Sequence, residues 1–523
     1  MNLPYFRITA CFLGLSFTSL EQAQSQNAGT LDPAFGNAGK VFTSFDLTGA
    51  SIANAAVLQS DGKIIVGGSG SAGLTLARYN PNGSLDSSFG TGGLVYAGMG
   101  SSPPSNVYPN GNSDPAFIVS IVVQPSDGKI LVAGKRGFEF MVARYHPNGT
   151  LDLSFGTNGL YTDVSAHSSN INRKILPTNY GRLLLVGEAI GLTNHYISVR
   201  CLHPNGTLDT SYGQNGFAFV SLQTPCDALL DQAGNLVIAG QFPSASNTSH
   251  HAVTRLLPSG LLDTSFGQNG RVVEYLTPYS FVRGLVMQAD GKLVLVGRGH
   301  TSGGWLWRLL PNGALDFSFG YLGSSIISFG NSTGALNSVL VQPDGKLVAV
   351  GLTQSPGAFF IARTLADGSP DPGFGTNGQT VFAETGAEGL NHVLLQPDSK
   401  LVAVGYSYAQ ANSTGPARYA VFRFLNQLAS GLPVQALNSL PDVFPNPAAG
   451  MLTVRLAPSI KANQPIKLTL TNLLGQQIVS TEGKTSPAQQ DVSVDVSSVS
   501  TGVYLLRGTT GSISFSRKIT ITR

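Results

Sequence analysis

The stretch "LDPAFGNAGKV", Leu31–Val41, decides how the rest of the chain is read. It recurs as "LDTSFGQNGRV" at Leu262 and in five other places, always closing a longer repeat. The first copy has no repeat in front of it. Downstream, three phrases recur in fixed order. The first sets Asp-Gly before or between apolar runs: "QSDGKIIVGG" at Gln59, "QPSDGKILVAG" at Gln124, "QADGKLVLVG" at Gln288 and "QPDGKLVAVG" at Gln342, with weaker copies at Asn179, Asp231 and Gln396. Asp-Gly in this setting predicts a hairpin with a type I′ turn, whose two central residues both tolerate positive φ. The second phrase is a strand carrying an arginine, as in "TLARY", "AVTRL" and "VFRFL". The third is the turn-rich link "PNGxLDxSFGxxG", followed by a short β-branched or aromatic run.

The aspartate of the link stands at Asp32, Asp86, Asp152, Asp209, Asp263, Asp316 and Asp371, at intervals of 54, 66, 57, 54, 53 and 55 residues. Each unit reads as a four-stranded meander. After Asp263, for example, strand D of one unit is "RVVEYL", and strands A, B and C of the next are "FVRGLVMQ", "KLVLVG" and "WLWRLL". One such sheet cannot bury both faces, but seven packed radially can, so the sequence predicts an all-β chain built on a seven-bladed β-propeller. A solenoid would need capping ends and has no use for a displaced fragment. The seventh A-B-C set ends at "VFRFLN" with no link after it, and the missing link and D strand are Leu31–Thr43. Donating that first strand to the last blade would close the ring and remove its open edges.

Arginine recurs in strand C at Arg78, Arg144, Arg200, Arg255, Arg308, Arg363 and Arg423. The next link aspartate lies eight residues on, or nine for Asp209. The expected contacts are fork-shaped ion pairs within each unit, with Arg423 meeting Asp32 across the closure. The links lack the dense carboxylates of a calcium loop, and no cofactor or metal is expected from them.

Composition fits this picture. Among 523 residues are 63 glycines and 29 prolines, only 11% are charged, and the net charge of +3 supplies no field for nucleic acid. Residues 1–25 read as a secretory signal, with Arg7 before the apolar run Ile8–Leu20 and cleavage expected near Ala23. No other run approaches a membrane helix. Cys11 falls in the signal, leaving Cys201 and Cys226 for one disulfide at most.

In a meander the A–B and C–D connections share one face, and B–C and D–A share the other. The uniform phrases fall on the first face and the variable loops on the second, where binding usually resides. Residues expected there are Tyr108, His195, Tyr196, His250, His251, His300, Tyr406 and Tyr408. No metal-binding histidine spacing, nucleophile elbow or P-loop accompanies them. Glu188 and Glu388 are the acids nearest those loops.

Residues 26–425 are thus assigned to the propeller, 426–440 to a linker and 441–523 to a small β-sandwich of alternating strands with Pro and Gly turns. The phrases "FPNPAAGMLTV", "LTNLLGQQI", "VSSVSTGVYLLR" and "SRKITITR" resemble, in order and position, the type A C-terminal sorting domain of the type IX (Por) secretion system. The resemblance implies export to the periplasm, recognition by that machinery, and surface attachment or release. The repeats resemble the delta-60 repeat family over Leu31–Asn426, which implies no activity. The expectation is a surface-displayed module that binds a polysaccharide or a protein. The alternatives are a structural component of the envelope and, third, a glycan hydrolase or lyase.

Overall fold

The computed structural model describes residues 28–426 and 442–522 apart from loop segments, the longest being 97–116, 164–169, 275–280 and 410–415 in the first part and 456–464 and 485–490 in the second. The chain divides into two units, the first ending at Gln427. Every regular element among the described residues is a β-strand.

The first unit holds seven four-stranded antiparallel sheets, the blades of a propeller. In six of them spatial order follows chain order. Blade one, for instance, runs Ile52–Leu58, Ile64–Gly70, Gly73–Tyr79 and Leu94–Tyr96 as strands A to D. Blade seven consists of Glu388–Leu395, Leu401–Tyr408 and Ala417–Phe424, with Lys40–Thr43 as its fourth strand. Lys40 lies opposite Phe422 and Thr43 opposite Tyr419.

The segment laid on blade seven begins before Leu31. The Gly29 amide donates to the Leu425 carbonyl, and the Leu425 amide to the Thr30 carbonyl, both at 2.8 Å. Ala28-Gly29 therefore stands where the first link has Asn82-Gly83. Gly29 takes the positive φ there, 87°, that Gly83 takes in the first link at 90°.

Each pair of neighbouring blades encloses an apolar cluster, and seven such clusters run once round the ring. Between blades seven and one, Val402, Val404 and Val421 meet Ala53, Ile64 and Val66, all buried. Each Val or Ile side chain buried there is worth roughly 1.5–3 kcal/mol. The alternation of the strands produces this result: one set of side chains faces the preceding blade and the other set the following one.

Two details differ from the sequence expectation. The Asp-Gly hairpins are not type I′. In blade one only Gly62 has positive φ, 82°, and the Gln59 amide bonds the Lys63 carbonyl across a three-residue loop. Asp61 instead turns its carboxylate onto the Lys63 amide at 3.1 Å. The second detail is a one-residue bulge in strand A of every blade, at Asn54, Val119, Arg173, Cys226, Arg283, Asn337 and Asn391. The glycine that ends the hairpin phrase faces the bulge. A Cβ on Gly68 would lie 1.8 Å from the Ile52 carbonyl oxygen, and one on Gly405 equally close to that of Gly389, so no side chain fits.

The second unit has a three-stranded sheet, Asp442–Phe444, Met451–Arg455 and Asp491–Asp495. Its four-stranded sheet is made of Pro465–Thr471, Gln477–Lys484, Gly502–Thr510 and Ile513–Ile521. Leu452 and Val494 of the first and Leu468, Leu506 and Ile519 of the second share one buried cluster. No helix among the described residues is long and apolar enough to cross a membrane.

Blade five breaks one local rule, as the closing link does with Ala38 at φ 52°. Asn158, Asn215, Asn269 and Asn377 take a left-handed conformation at the third position of the "GxxG" turn, where blade five has Leu322 at φ 51°. A leucine there is strained by roughly 1–2 kcal/mol, and Leu322 is exposed, so packing does not offset the strain. Leu322→Asn is expected to raise stability by about 1 kcal/mol, seen as a higher urea midpoint at unchanged slope. A lower midpoint would show that the leucine makes a contact worth more than the strain.

Candidate functional site

The repeated arginine and aspartate form a node on the uniform face. In blade one Arg78 Nε donates to Asp86 Oδ2 at 2.7 Å, and Lys63 of the hairpin turn lies 3.0 Å from the same oxygen. The Ser88 amide and hydroxyl bond Asp86 Oδ1 at 3.1 and 2.7 Å. The Arg78 guanidinium lies 4.5 Å from the centre of the Phe89 ring, and its Nη1 donates to the Pro147 carbonyl of the next link. The "SFG" and "PNG" phrases therefore recur because each supplies partners to one guanidinium, and the node spans two blades. Nodes of this kind join Arg144 to Asp152, Arg255 to Asp263, Arg308 to Asp316 and Arg363 to Asp371 at 2.7–2.8 Å. Across the closure Arg423 meets Asp32 at 2.8 Å and also donates to the Pro81 carbonyl.

Blade three is the correction. Arg200 does not pair with Asp209; its Nε donates to Asp163 at 2.6 Å, and its guanidinium stacks 4.0 Å from the Phe140 ring. The nine-residue spacing puts Arg200 on the opposite face of its strand, and Cys201 occupies the arginine's place. Arg182, at the hairpin position held by lysine in five of the other six blades, reaches Asp209 at 2.8 Å instead. Cys201 and Cys226 are both free thiols.

The variable-face candidates separate into three groups. Tyr108 and His300 lie outside the described residues, as does the side chain of His195. His250 and His251 are buried, 8% and 2% exposed, rather than displayed. They belong to strand C of blade four, and His251 stacks on Trp305 at 4.6 Å with Glu274 at 3.5 Å. Burial first of all pushes the His251 pKa down to about 4. Tyr196 is half-buried, as are Tyr406 and Tyr408, whose rings meet edge to face at 6.1 Å. Glu388 is taken up internally, accepting from the Ser407 hydroxyl at 3.0 Å and the Glu384 amide at 2.7 Å.

The A strands line a central channel whose interior is a cavity of about 470 Å³ reached by all seven blades. The bulges aim side chains into it. Asn54, Asn337 and Asn391 each donate to a carbonyl of the following blade, Ile118, Leu390 and Ala53, at 2.8–3.0 Å. Lys174 pairs with Asp227 at 2.8 Å, and Asp227 also accepts the Leu285 amide at 3.0 Å. Crowding, then the nearby Lys174, push the His392 pKa down to about 4, so this channel histidine is neutral at pH 7. A second cavity of about 330 Å³ continues the channel and is lined by Arg173, Thr224, Cys226, Gln241, Phe281, Arg283, Asn337 and Asn391 among others. Thr224 and Phe281 begin their A strands, and Gln241 lies near the end of a B strand. That is the end of the channel from which the variable connections depart. Sequence reading missed these residues because a bulge leaves no mark of its own on its strand. The facing glycine was the available signal.

The fold and this site define a seven-bladed β-propeller with a polar channel opening among its variable connections. Residues 59–89, 126–155, 234–266, 288–319 and 342–374 match a family model described as "Domain of unknown function (DUF5122) beta-propeller". Residues 442–522 match "Secretion system C-terminal sorting domain". The chain carries DUF5122 propeller repeats and a type IX secretion sorting domain, and it is exported by that system to the cell surface or beyond. The matched repeats leave out blade three, whose node is rebuilt, and blade seven, which is completed from the other end of the propeller. No curated protein matches the chain. Similar solved structures include the polysaccharide lyase Uly1, 12% identical, covering 78% of this chain and 96% of that one at a TM-score of 0.40. A glucose dehydrogenase is 16% identical over 58% of this chain and 94% of its own, at 0.35. An endo-arabinase from Bacteroides thetaiotaomicron VPI-5482 is 10% identical over 59% and 93%, at 0.32. At these scores none of them bears on function.

The nodes make stability depend on pH. Burial alone would raise the Asp316 carboxyl, but the Ser318 hydroxyl and amide, Arg308 and Lys292 outweigh it and hold the pKa at about 2. Asp86, Asp152, Asp209, Asp263 and Asp371 are held below their usual range as well. Carboxylates with lowered folded-state pKa stabilise fully above the unfolded value of about 3.9 and lose that contribution as pH falls through the folded values. The melting temperature of the propeller is expected to be level between about pH 5 and 7 and to fall steeply below about pH 4. A midpoint that declined evenly from neutral pH would contradict this.

Proposed function

We propose that this exported propeller is a binding module that holds a saccharide at the variable end of its channel. One observation carries the reading: the sequence is repetitive at the nodes, yet the lining of the 330 Å³ mouth differs from blade to blade. Arg173 and Arg283, Cys226, and Asn337 and Asn391 stand at equivalent bulges and bring three different chemistries to one lining. A purely structural ring would have no use for such variety. The mouth offers amides, a hydroxyl and guanidinium groups that hydrogen-bond hydroxyls, beside the partly exposed apolar face of Phe281. That mixture of one apolar wall with a few convergent polar groups, at this volume, suits a small-molecule or sugar-sized guest.

Phe281 is 39% exposed, so its removal should leave the core intact. Phe281→Ala is expected to weaken binding to whichever polysaccharide the chain recognises by about tenfold at unchanged melting temperature. Isothermal titration against a panel of soluble polysaccharides reads this directly. Unchanged affinity would remove the saccharide from the mouth.

A further inference from the structure

We infer that the saccharide is anionic, its carboxylate or sulfate groups held by Arg173, Arg283 and Arg298. This rests on the reading of the channel mouth as a saccharide site. Arg173 and Arg283 come from bulges of blades three and five and both line the mouth. Arg298 lies in strand B of blade five directly opposite Phe281.

Positive charge outweighs negative here: Glu188 and Asp227 are near enough to act on Cys226, but neither lines the mouth. No Asp or Glu is among the described residues lining the mouth. Arg173 Nε is buried with no hydrogen-bond partner among the described residues. Arg283 Nη1 makes a 3.2 Å bond to the neutral Asn337 side chain, and Arg298 a long one of 3.4 Å to Gln354. Deeper in the channel the situation is reversed. There Lys174 is neutralised by Asp227 at 2.8 Å, and the spare capacity of Asp227 is used by the backbone amides of Ala228 and Leu285. Arg173 and Arg283 reach both cavities, so the excess positive charge stands where the mouth joins the channel.

Burial, and then the like charges of Arg298 and Arg173, lower the proton affinity of Arg283, while Cys226 and Tyr406 work the other way. Arginine retains its charge under such pressure, so the repulsion persists in the free protein and an anion relieves it. Guanidinium forks match the paired oxygens of a carboxylate or sulfate, and the attraction is stronger where water is partly excluded. Phe281 would supply the apolar surface that a sugar ring needs beside its charge.

The test titrates the purified full chain with polygalacturonate, a sulfated galactan and neutral dextran. The expected result is that one of the two anionic polymers binds at least about tenfold more tightly than dextran, and that added salt weakens it. Which one binds distinguishes carboxylate from sulfate. Arg283→Gln and Arg298→Gln should each lower that affinity by about tenfold with no change in melting temperature, since neither side chain is in the core. Equal binding of dextran, insensitive to salt and to both substitutions, would overturn the charge inference and leave the saccharide reading standing. Absence of binding by all three polymers would overturn both.

Discussion

Everything in the first unit depends on closing a ring. Seven sheets that each bury two faces have no ends only if the seventh meets the first, and here the meeting is made by a strand from the other end of the propeller. Lys40–Thr43 completes blade seven, Asp32 supplies the carboxylate that Arg423 lacks, and Gly29 supplies the left-handed turn. Without that segment Ala417–Phe424 would be an open edge and a buried arginine would have no anion.

The same node explains why the sequence is so repetitive on one face. A guanidinium that must satisfy a carboxylate, a serine hydroxyl, an aromatic ring and a carbonyl of the next blade constrains many positions together. Such nodes are tolerant only when compensated. In blade three the arginine is lost to Cys201, and Arg182 enters from the hairpin where most other blades have lysine. The channel has no comparable constraint. Three of its bulge residues are asparagines that tie one blade to the next, and the other four differ from them.

Most of the architecture was legible because strands A to D announce themselves by alternation and by Asp-Gly, Pro-Asn-Gly and Ser-Phe-Gly punctuation. The limits of legibility also have physical causes. The nine-residue gap before Asp209 was visible, but an odd shift in a strand reverses the side-chain face, and that consequence is geometric. His250 and His251 looked like loop residues because polar side chains occupy the start of strand C in blade four, five and four residues before Arg255, where the strands of blades one and two have already begun. The turn at Asp61-Gly62 had the composition of one hairpin class and adopts another, since the aspartate carboxylate accepts the amide two residues on without taking positive φ. The mouth of the channel was least legible of all. Arg173 and Arg283 are separated by more than a hundred residues, and only ring closure brings them together.

The central claim is that Asp32 and Arg423 close the ring as one energetic unit. A double-mutant cycle with Asp32→Asn, Arg423→Gln and the double variant, followed by reversible urea unfolding, measures it directly. The account requires each single change to cost about 3–5 kcal/mol and the double change to cost much less than their sum, because the second removal no longer strands a buried charge. Additive costs, with no coupling between the two positions, would contradict it and leave closure to the backbone pairing of Lys40–Thr43 alone.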